Sequence, residues 1–412
     1  MADARKAVRR LHFISTNPAR WGGSEELWHA IALRALEEGH EVLASVFKHP
    51  VPHEKVLQLQ RMGARIDYRS LPCYHFDQPL PRLVMAQLRD RLDWNRHRHA
   101  WGLAARFKAD ALMISAGETL DGYLYEDSFP IRDARGRGIP YFFVGHFHHE
   151  HSKVLPQRAR QRKAGFLEGS AAQLYVSLRN LQMTRSELQH HLPGARIIHN
   201  PFSVAESTRE ASVSGDRIRM AFVARLECEV KCQDILVQVL AHPSLRDLDL
   251  TLDIYGEGSD REYLESLISF HGLTDRVTLR GHHPDPAEIW VDHDILVLTS
   301  RGEGTPLTLF EAMRAGRTAI VTNVGDSALW MGGGRGYVSP APTSEAIRET
   351  LLRAISERNT WEEKGRACRR LFHEKWNREH SEQIYQALLG EYPAAEIGWD
   401  SETYARHLGW DA

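Results

Sequence analysis

Cysteine is scarce in this chain. Four in 412 residues (Cys73, Cys228, Cys232 and Cys368) are too few for a disulfide scaffold and suit a reducing compartment. No stretch reaches 18 apolar residues, which excludes a membrane-spanning helix. Residues 1–10 are polar and basic, without the apolar centre of a secretory leader. An excess of charge is missing too: 52 Lys and Arg against 54 Asp and Glu leave a formal net charge of −2. No global positive field exists to hold nucleic acid, although local basic patches remain open. Repeats, low-complexity tracts and metal-finger spacings are also lacking. What is present is a 42% hydrophobic, 26% charged composition, that of a packed globular protein. The length exceeds one ordinary core and suits two domains of roughly 200 residues each. The expectation is a soluble, cytoplasmic, two-domain protein.

The patterning gives those domains a class. RLHFIS (10–15) reads as a buried strand running into the glycine-containing loop NPARWGGS. A helix follows over 25–38, with Trp28, Ile31, Ala32, Ala35 and Leu36 on one face at the 3.6-residue period. Ser24 is the expected N-cap and Gly39 the stop. EVLASVF (41–47) is the next strand, completing a βαβ unit and opening a parallel sheet. The alternation returns at 111–115, 140–145 and 174–177, then pauses at IIHNPF (197–202) and an aperiodic polar stretch to 216. A second series has strands at 219–224, 250–255, 277–280, 295–299 and 318–322, separated by helices near 233–240, 262–270, 307–315 and 344–356. The expected class is α/β, with two consecutive doubly wound, Rossmann-like domains facing a cleft. Ligands would sit at the carboxyl ends of the strands. The boundaries are 1–202 for the first domain, 203–375 for the second, and 376–412 for a C-terminal helix and tail. A single helical stretch over 361–389 is long enough to cross back to the first domain. The tail from 392 has no readable role.

The segment richest in chemistry is RGEGTPLTLFEAMRAG (301–316), directly after the strand DILVLTS. Thr305 can N-cap a helix and Pro306 fits its first turn, where its missing N–H would be unpaired anyway. The free N–H groups of that turn, including those of Leu307 and Thr308, form a ready anion site suited to a diphosphate. Glu303 lies in the loop before the helix and Glu311 about 7.5 Å beyond Pro306 along the axis. The two carboxylates flank the anion site and can accept hydrogen bonds from vicinal sugar hydroxyls. On spacing alone, a solvated loop acid and a helix-surface acid remain an equal alternative.

A Glu in a glycine loop, a second Glu eight positions on, then Ala-Met and Ala-Gly resembles the EX7E motif of GT-B retaining glycosyltransferases, more narrowly the large family 4 group. FVARLECEVK (222–231) followed by QDIL resembles that group's phosphate clamp. LDIYGEGSDREYLESL, with Gly256, resembles its nucleotide-binding stretch, and NPARWGGSEELW its N-terminal GGxE loop. SALW after NVGD falls where a further turn of the family lies. The pieces occur in the family's order across most of the chain. The resemblance implies a GT-B fold and transfer of a sugar, with retention, from a nucleotide-diphosphate donor to an acceptor hydroxyl. It implies that Arg225 and Lys231 grip the diphosphate, that Glu311 binds the ribose and that Glu303 meets the donor sugar. Backbone groups at Thr305, Pro306, Leu307 and Thr308 would meet phosphate or sugar, Gly22 and Gly23 would allow close approach, and His146 would contact donor sugar or acceptor. No metal and no other cofactor is implied. Two departures stand out: Cys232 replaces the glycine after the clamp lysine, and the Arg225–Lys231 interval is about one residue longer than usual.

The histidines of GHFHHEH (145–151) invite a metal reading, but neighbours on an extended segment point to opposite sides. Cys228 and Cys232 alone make a poor zinc site and read as small, semi-buried residues. Aromatics and cations over 68–108 (Tyr68, Tyr74, Phe76, Arg82, Arg89, Arg91, Trp94, Arg96 and Trp101 among them) and the basic run 153–163 suit an acceptor. They equally suit an anionic membrane surface. A glycan, a lipid-linked sugar or a small molecule all qualify as acceptor, and no nucleic-acid partner is expected. The alternatives are another nucleotide-sugar reaction, such as epimerisation or a pseudo-glycosyl coupling, or a non-catalytic nucleotide-sugar sensor.

Overall fold

The computed structural model describes residues 7–69, 101–120, 128–150, 154–202 and 215–409. The chain divides into two compact units. Met1–His148, Ser152–Pro201 and Asn377–Tyr404 form the first; His149–His151, Phe202–Trp376 and Ala405–Ala412 form the second. The C-terminal segment expected as one piece from 376 is thus shared: its larger part belongs to the first unit and its last residues to the second.

The first unit is built on seven strands, β1 (Arg10–Ser15), β2 (Glu41–Phe47), β3 (Arg65–Arg69), β4 (Ala111–Ala116), β5 (Tyr141–Gly145), β6 (Ala172–Tyr175) and β7 (Ala195–Ile197). All pair in parallel, in the order β3-β2-β1-β4-β5-β6-β7. Helices cover both faces, so the central strands are apolar without alternation, as in ALMISA of β4, buried along its whole length. Phe13, Met113, Val144 and Leu174 of the sheet pack with Leu27, Trp28, Ile31 and Ala35 of the helix Gly23–Glu37 and with Ile384, Tyr385 and Leu388 of the helix His380–Leu389.

The second unit has six parallel strands, β8 (Ile218–Val223), β9 (Leu250–Tyr255), β10 (Val277–Gly281), β11 (Ile295–Leu298), β12 (Thr318–Thr322) and β13 (Tyr337–Ser339). Their order is β10-β9-β8-β11-β12-β13. In both sheets the order reverses beside the unit's first strand. The loops after β1 and β4, and after β8 and β11, therefore diverge and open a crevice at the carboxyl ends of the strands.

Three local expectations need correction. The first helix begins at Gly23, with Gly22 in the N-cap position and no side-chain cap; Ser24 instead accepts from Asn17 Nδ2 at 3.1 Å. The helix expected to start from a Thr305 cap spans Leu307–Arg314, with Pro306 itself at the N-cap in an extended conformation. The single helix over 361–389 is two, Trp361–Lys375 and His380–Leu389. Trp376 turns extended between them, and Asn377 Oδ1 accepts from the Glu379 N–H at 2.8 Å, closing a local turn before the second helix. The tail also has a structure. Trp399 exchanges backbone hydrogen bonds with Ile197 at 2.7 and 3.0 Å, and its ring packs on His199, His380 and Tyr404. Among the described residues no helix is long and apolar enough to cross a membrane.

Candidate functional site

The reversal point of the second sheet brings most of the expected residues together. The loop after β8 carries Arg225, a short helix Cys228–Lys231 follows, and the loop after β11 carries Glu303 and leads into Leu307–Arg314. Lys231 Nζ and Glu303 Oε1 lie 2.6 Å apart, with the lysine side chain 14% and the glutamate 9% exposed. Ser300 Oγ donates to the same Oε1 at 2.6 Å. The two loops are sewn by their backbones as well. Arg301 N–H donates to the Val230 carbonyl at 2.8 Å, and Thr299 Oγ1 to the Cys232 carbonyl at 2.9 Å. Gln233, fully buried, donates from Nε2 to the Arg225 carbonyl at 2.6 Å, which fixes the turn presenting that arginine. The Arg225 side chain is exposed and pairs with Glu227 at 3.1 Å.

Close approach explains the glycines. Gly256, at φ +137°, follows β9, and a Cβ there would come within 1.9 Å of the Ala224 carbonyl oxygen. The loop bearing Arg225 thus lies directly on Gly256. Gly325, at φ +51°, supports the other side, where a Cβ would fall 2.1 Å from the Gly304 carbonyl oxygen. Cys232 occupies the left-handed region at φ +56°, so the position keeps the backbone conformation that a glycine would favour. Its side chain is buried, which pushes the thiol up to about 11; burial likewise drives Cys228 to about 12.

The helix Leu307–Arg314 buries Leu309, Phe310, Ala312 and Met313. Leu307, Thr308 and Glu311 lie on the partly exposed side. Glu311 is one turn above Leu307, about 6 Å along the axis. First-turn N–H groups of a helix have no intrahelical acceptor and carry its positive end. Thr305 is buried in the loop before it. The arrangement is therefore two cations, a helix N-terminus and two carboxylates around one crevice, able to hold a diphosphate and the hydroxyls on either side of it.

Gly22, Gly23 and His146 belong to the first unit. Gly22 is extended, and Glu25 fastens the loop behind it. Its Oε1 accepts from Ser15 Oγ and Ser24 Oγ, both at 3.1 Å, and its Oε2 from Trp28 Nε1 at 2.9 Å. Burial raises the pKa of this carboxyl. His146 follows β5; its backbone N–H donates to the Ala116 carbonyl at 3.1 Å. Its ring is buried, neither nitrogen has a hydrogen-bond partner among the described residues, and burial pushes it down to about 3. His148 Nε2 lies 3.1 Å from Glu187 Oε2, both side chains buried. Of the aromatic and basic stretches, Tyr74, Phe76, Arg82, Arg89, Arg91, Trp94, Arg96 and Lys153 fall outside the described residues. Trp101 and Lys163 are buried rather than offered to solvent, while Tyr68 is exposed.

Ser300 and Thr299 are given no role by the sequence, and Gln233 and Gly325 enter only as members of QDIL and NVGD. The roles of Thr299 and Gly325 depend on which loops the sheet order makes neighbours, and those of Ser300 and Gln233 on the conformation of their own loops.

Two parallel-sheet, Rossmann-like units with such a crevice define the GT-B fold. The structure of HepE from Anabaena in complex with UDP superposes with a TM-score of 0.66 over 92% of this chain and 100% of that one, at 14% identity. Residues 217–357 match the family described as Glycosyl transferases group 1, and the fold of the chain is GT-B. Among curated proteins, the UDP-N-acetylglucosamine–peptide N-acetylglucosaminyltransferase GtfA subunit of Streptococcus gordonii is 32% identical over 126 residues. That match covers 30% of this chain and 24% of the relative, so it spans about a quarter of the relative's length. Alpha-D-kanosaminyltransferase of Streptomyces kanamyceticus is 25% identical over 344 residues, 74% of this chain and 86% of that one.

Proposed function

We propose that this protein transfers a sugar from a nucleotide-diphosphate donor to an acceptor hydroxyl, with retention of anomeric configuration. The observation that carries the reading is the Lys231–Glu303 pair at 2.6 Å at the reversal point of the second sheet, beside the start of Leu307–Arg314. Breaking the glycosidic bond builds negative charge on the departing diphosphate. Arg225, Lys231 and the first-turn N–H groups of Leu307 and Thr308 are preorganised to meet it, and a single well-placed donor of this kind is worth about 3 kcal/mol. The positive charge comes from the protein's own side chains, so the reading calls on no metal. Glu311 takes the ribose hydroxyls and Glu303 those of the donor sugar. Thr305, Pro306 and Gly256 shape the loops that approach them. Gly22, Gly23 and His146 serve donor sugar and acceptor from the first unit. Retention, as the family resemblance implies it, proceeds by front-face attack, with the leaving phosphate accepting the acceptor's proton.

The relatives named above act on or bind uridine nucleotides in two cases, which supports a UDP-sugar as the first donor to try. The acceptor is a hydroxyl of a glycan, a lipid-linked sugar or a small molecule; the name of the Streptococcus relative adds peptides to the acceptors to try. The experiment is release of nucleoside diphosphate from UDP-N-acetylglucosamine and a panel of other UDP-, GDP-, dTDP- and ADP-sugars, with and without acceptor mixtures. Sustained release from one base class, quickened by an acceptor, is expected. Binding of a nucleotide sugar with no release from any donor, whatever the acceptor, would make the protein a sensor and sink the reading.

A further inference from the structure

Glu303 sits on a loop, where neither a helix nor a sheet ladder fixes its side chain. Both of the groups that hold it converge on one oxygen: Lys231 Nζ and Ser300 Oγ each reach Oε1 at 2.6 Å. Among the described residues no hydrogen bond is made to Oε2. The carboxylate is thus divided into a held oxygen and a presented one. The two holders differ in kind. Lys231 is a long cation that a diphosphate would compete for. Ser300 is a short, neutral donor, fully buried, whose own backbone is pinned because Thr322 Oγ1, at the end of β12, donates to the Ser300 carbonyl at 2.6 Å.

We infer that Ser300 is a positioning residue that keeps Glu303 Oε2 aimed outward while Lys231 turns its charge to the donor diphosphate; this rests on the reading that Glu303 meets the donor sugar. Before a donor arrives, Lys231 and Ser300 share Oε1. Once the diphosphate draws on Lys231, the Ser300 bond alone fixes the carboxylate. A loop carboxylate released at that moment would sample rotamers that point away from the sugar hydroxyls. The loss would appear in turnover, because that is where donor-sugar alignment matters, and not in affinity for the bare nucleotide.

The test measures three quantities on the full chain: melting temperature, UDP affinity by calorimetry, and UDP release from UDP-N-acetylglucosamine and UDP-glucose. Wild type, Ser300→Ala, Ser300→Thr and Thr322→Val are compared. Ser300→Ala is expected to keep UDP affinity within threefold of wild type while turnover falls at least tenfold, and Ser300→Thr, which restores a hydroxyl, to regain most of the loss. Thr322→Val, acting one step further back, is expected to lower turnover about threefold with UDP affinity unchanged, and carries the test if Ser300→Ala does not fold. Turnover within twofold of wild type in Ser300→Ala, or equal losses in UDP affinity and turnover, overturns the inference while leaving the proposed function standing. A folded wild type that releases UDP from neither sugar nucleotide overturns the UDP-sugar reading and this inference with it.

Discussion

At the scale of single residues, the proposed diphosphate clamp depends on backbone that only small or left-handed residues can follow. Gly256 is the sharpest case. A methyl group there meets the Ala224 carbonyl oxygen at 1.9 Å and its carbon at 2.8 Å, and neither is the yielding end of a side chain. Gly256→Ala must push the Arg225 loop outward, and its φ of +137° adds strain of its own. UDP affinity is expected to fall at least tenfold and the melting temperature by several degrees; an alanine variant that binds UDP like wild type would show that the loop is not the clamp. Cys232 is the milder case. Its left-handed backbone costs about 1–2 kcal/mol relative to glycine, offset by the burial of its side chain. The interval between Glu303 and Glu311 is set along one chain segment and could be read there, whereas Arg225 and Lys231 stood out only through the resemblance of FVARLECEVK to a family motif. The roles of Ser300 and Gln233 were not readable: each acts over a short interval, Ser300 on Glu303 three residues on and Gln233 on Arg225 eight residues back, but through loop conformations that only the fold sets.

At the scale of elements, the helix Leu307–Arg314 is held by an aromatic seat. Phe310 packs on Trp376 at 4.1 Å between ring centroids and on Trp330 at 4.7 Å, with Phe372 stacked on Trp376 at 5.7 Å. The same Trp376 marks the break between the last two long helices, so the break and the seat are one feature. Phe310→Ala empties the seat and is expected to cost about 3–5 kcal/mol, read as a lower urea midpoint together with weaker UDP binding; a cost below 1 kcal/mol would mean that the helix is anchored elsewhere. The central strands were visible as apolar runs because both sheet faces are covered. The short edge strands β3, β7 and β13 were not, being three to five residues long. The helix break left no proline or glycine to read: burial of Trp376, a tertiary outcome, and the local side-chain turn of Asn377 produce it.

At the scale of the whole molecule, the first unit buries three neutral histidines whose pKa values burial lowers, His12 and His146 to about 3 and His29 to about 4. His12 Nε2 lies 2.8 Å from Ser45 Oγ, which in turn donates to Asp67, so the ring is held as the Nε2–H tautomer. In the unfolded chain each titrates near 6.5. Below that pH the unfolded state binds protons that the folded state refuses, and stability falls as pH falls, by up to about 1.4 kcal/mol per pH unit for each histidine. Glu25 and Asp67, whose folded pKa values burial raises, act in the opposite sense. Burial lowers the half-buried His53 as well. With four groups against two, the melting temperature is expected to drop between pH 7 and pH 5, and His12→Gln to flatten the drop; a melting temperature constant or rising toward pH 5 would contradict this balance. The most direct test of the central claim is calorimetric titration of UDP, GDP, dTDP and ADP into wild type and Lys231→Met. The account predicts that one diphosphate binds and that its affinity falls at least tenfold in Lys231→Met, whereas wild type binding none of them, or the variant binding as well as wild type, would contradict it.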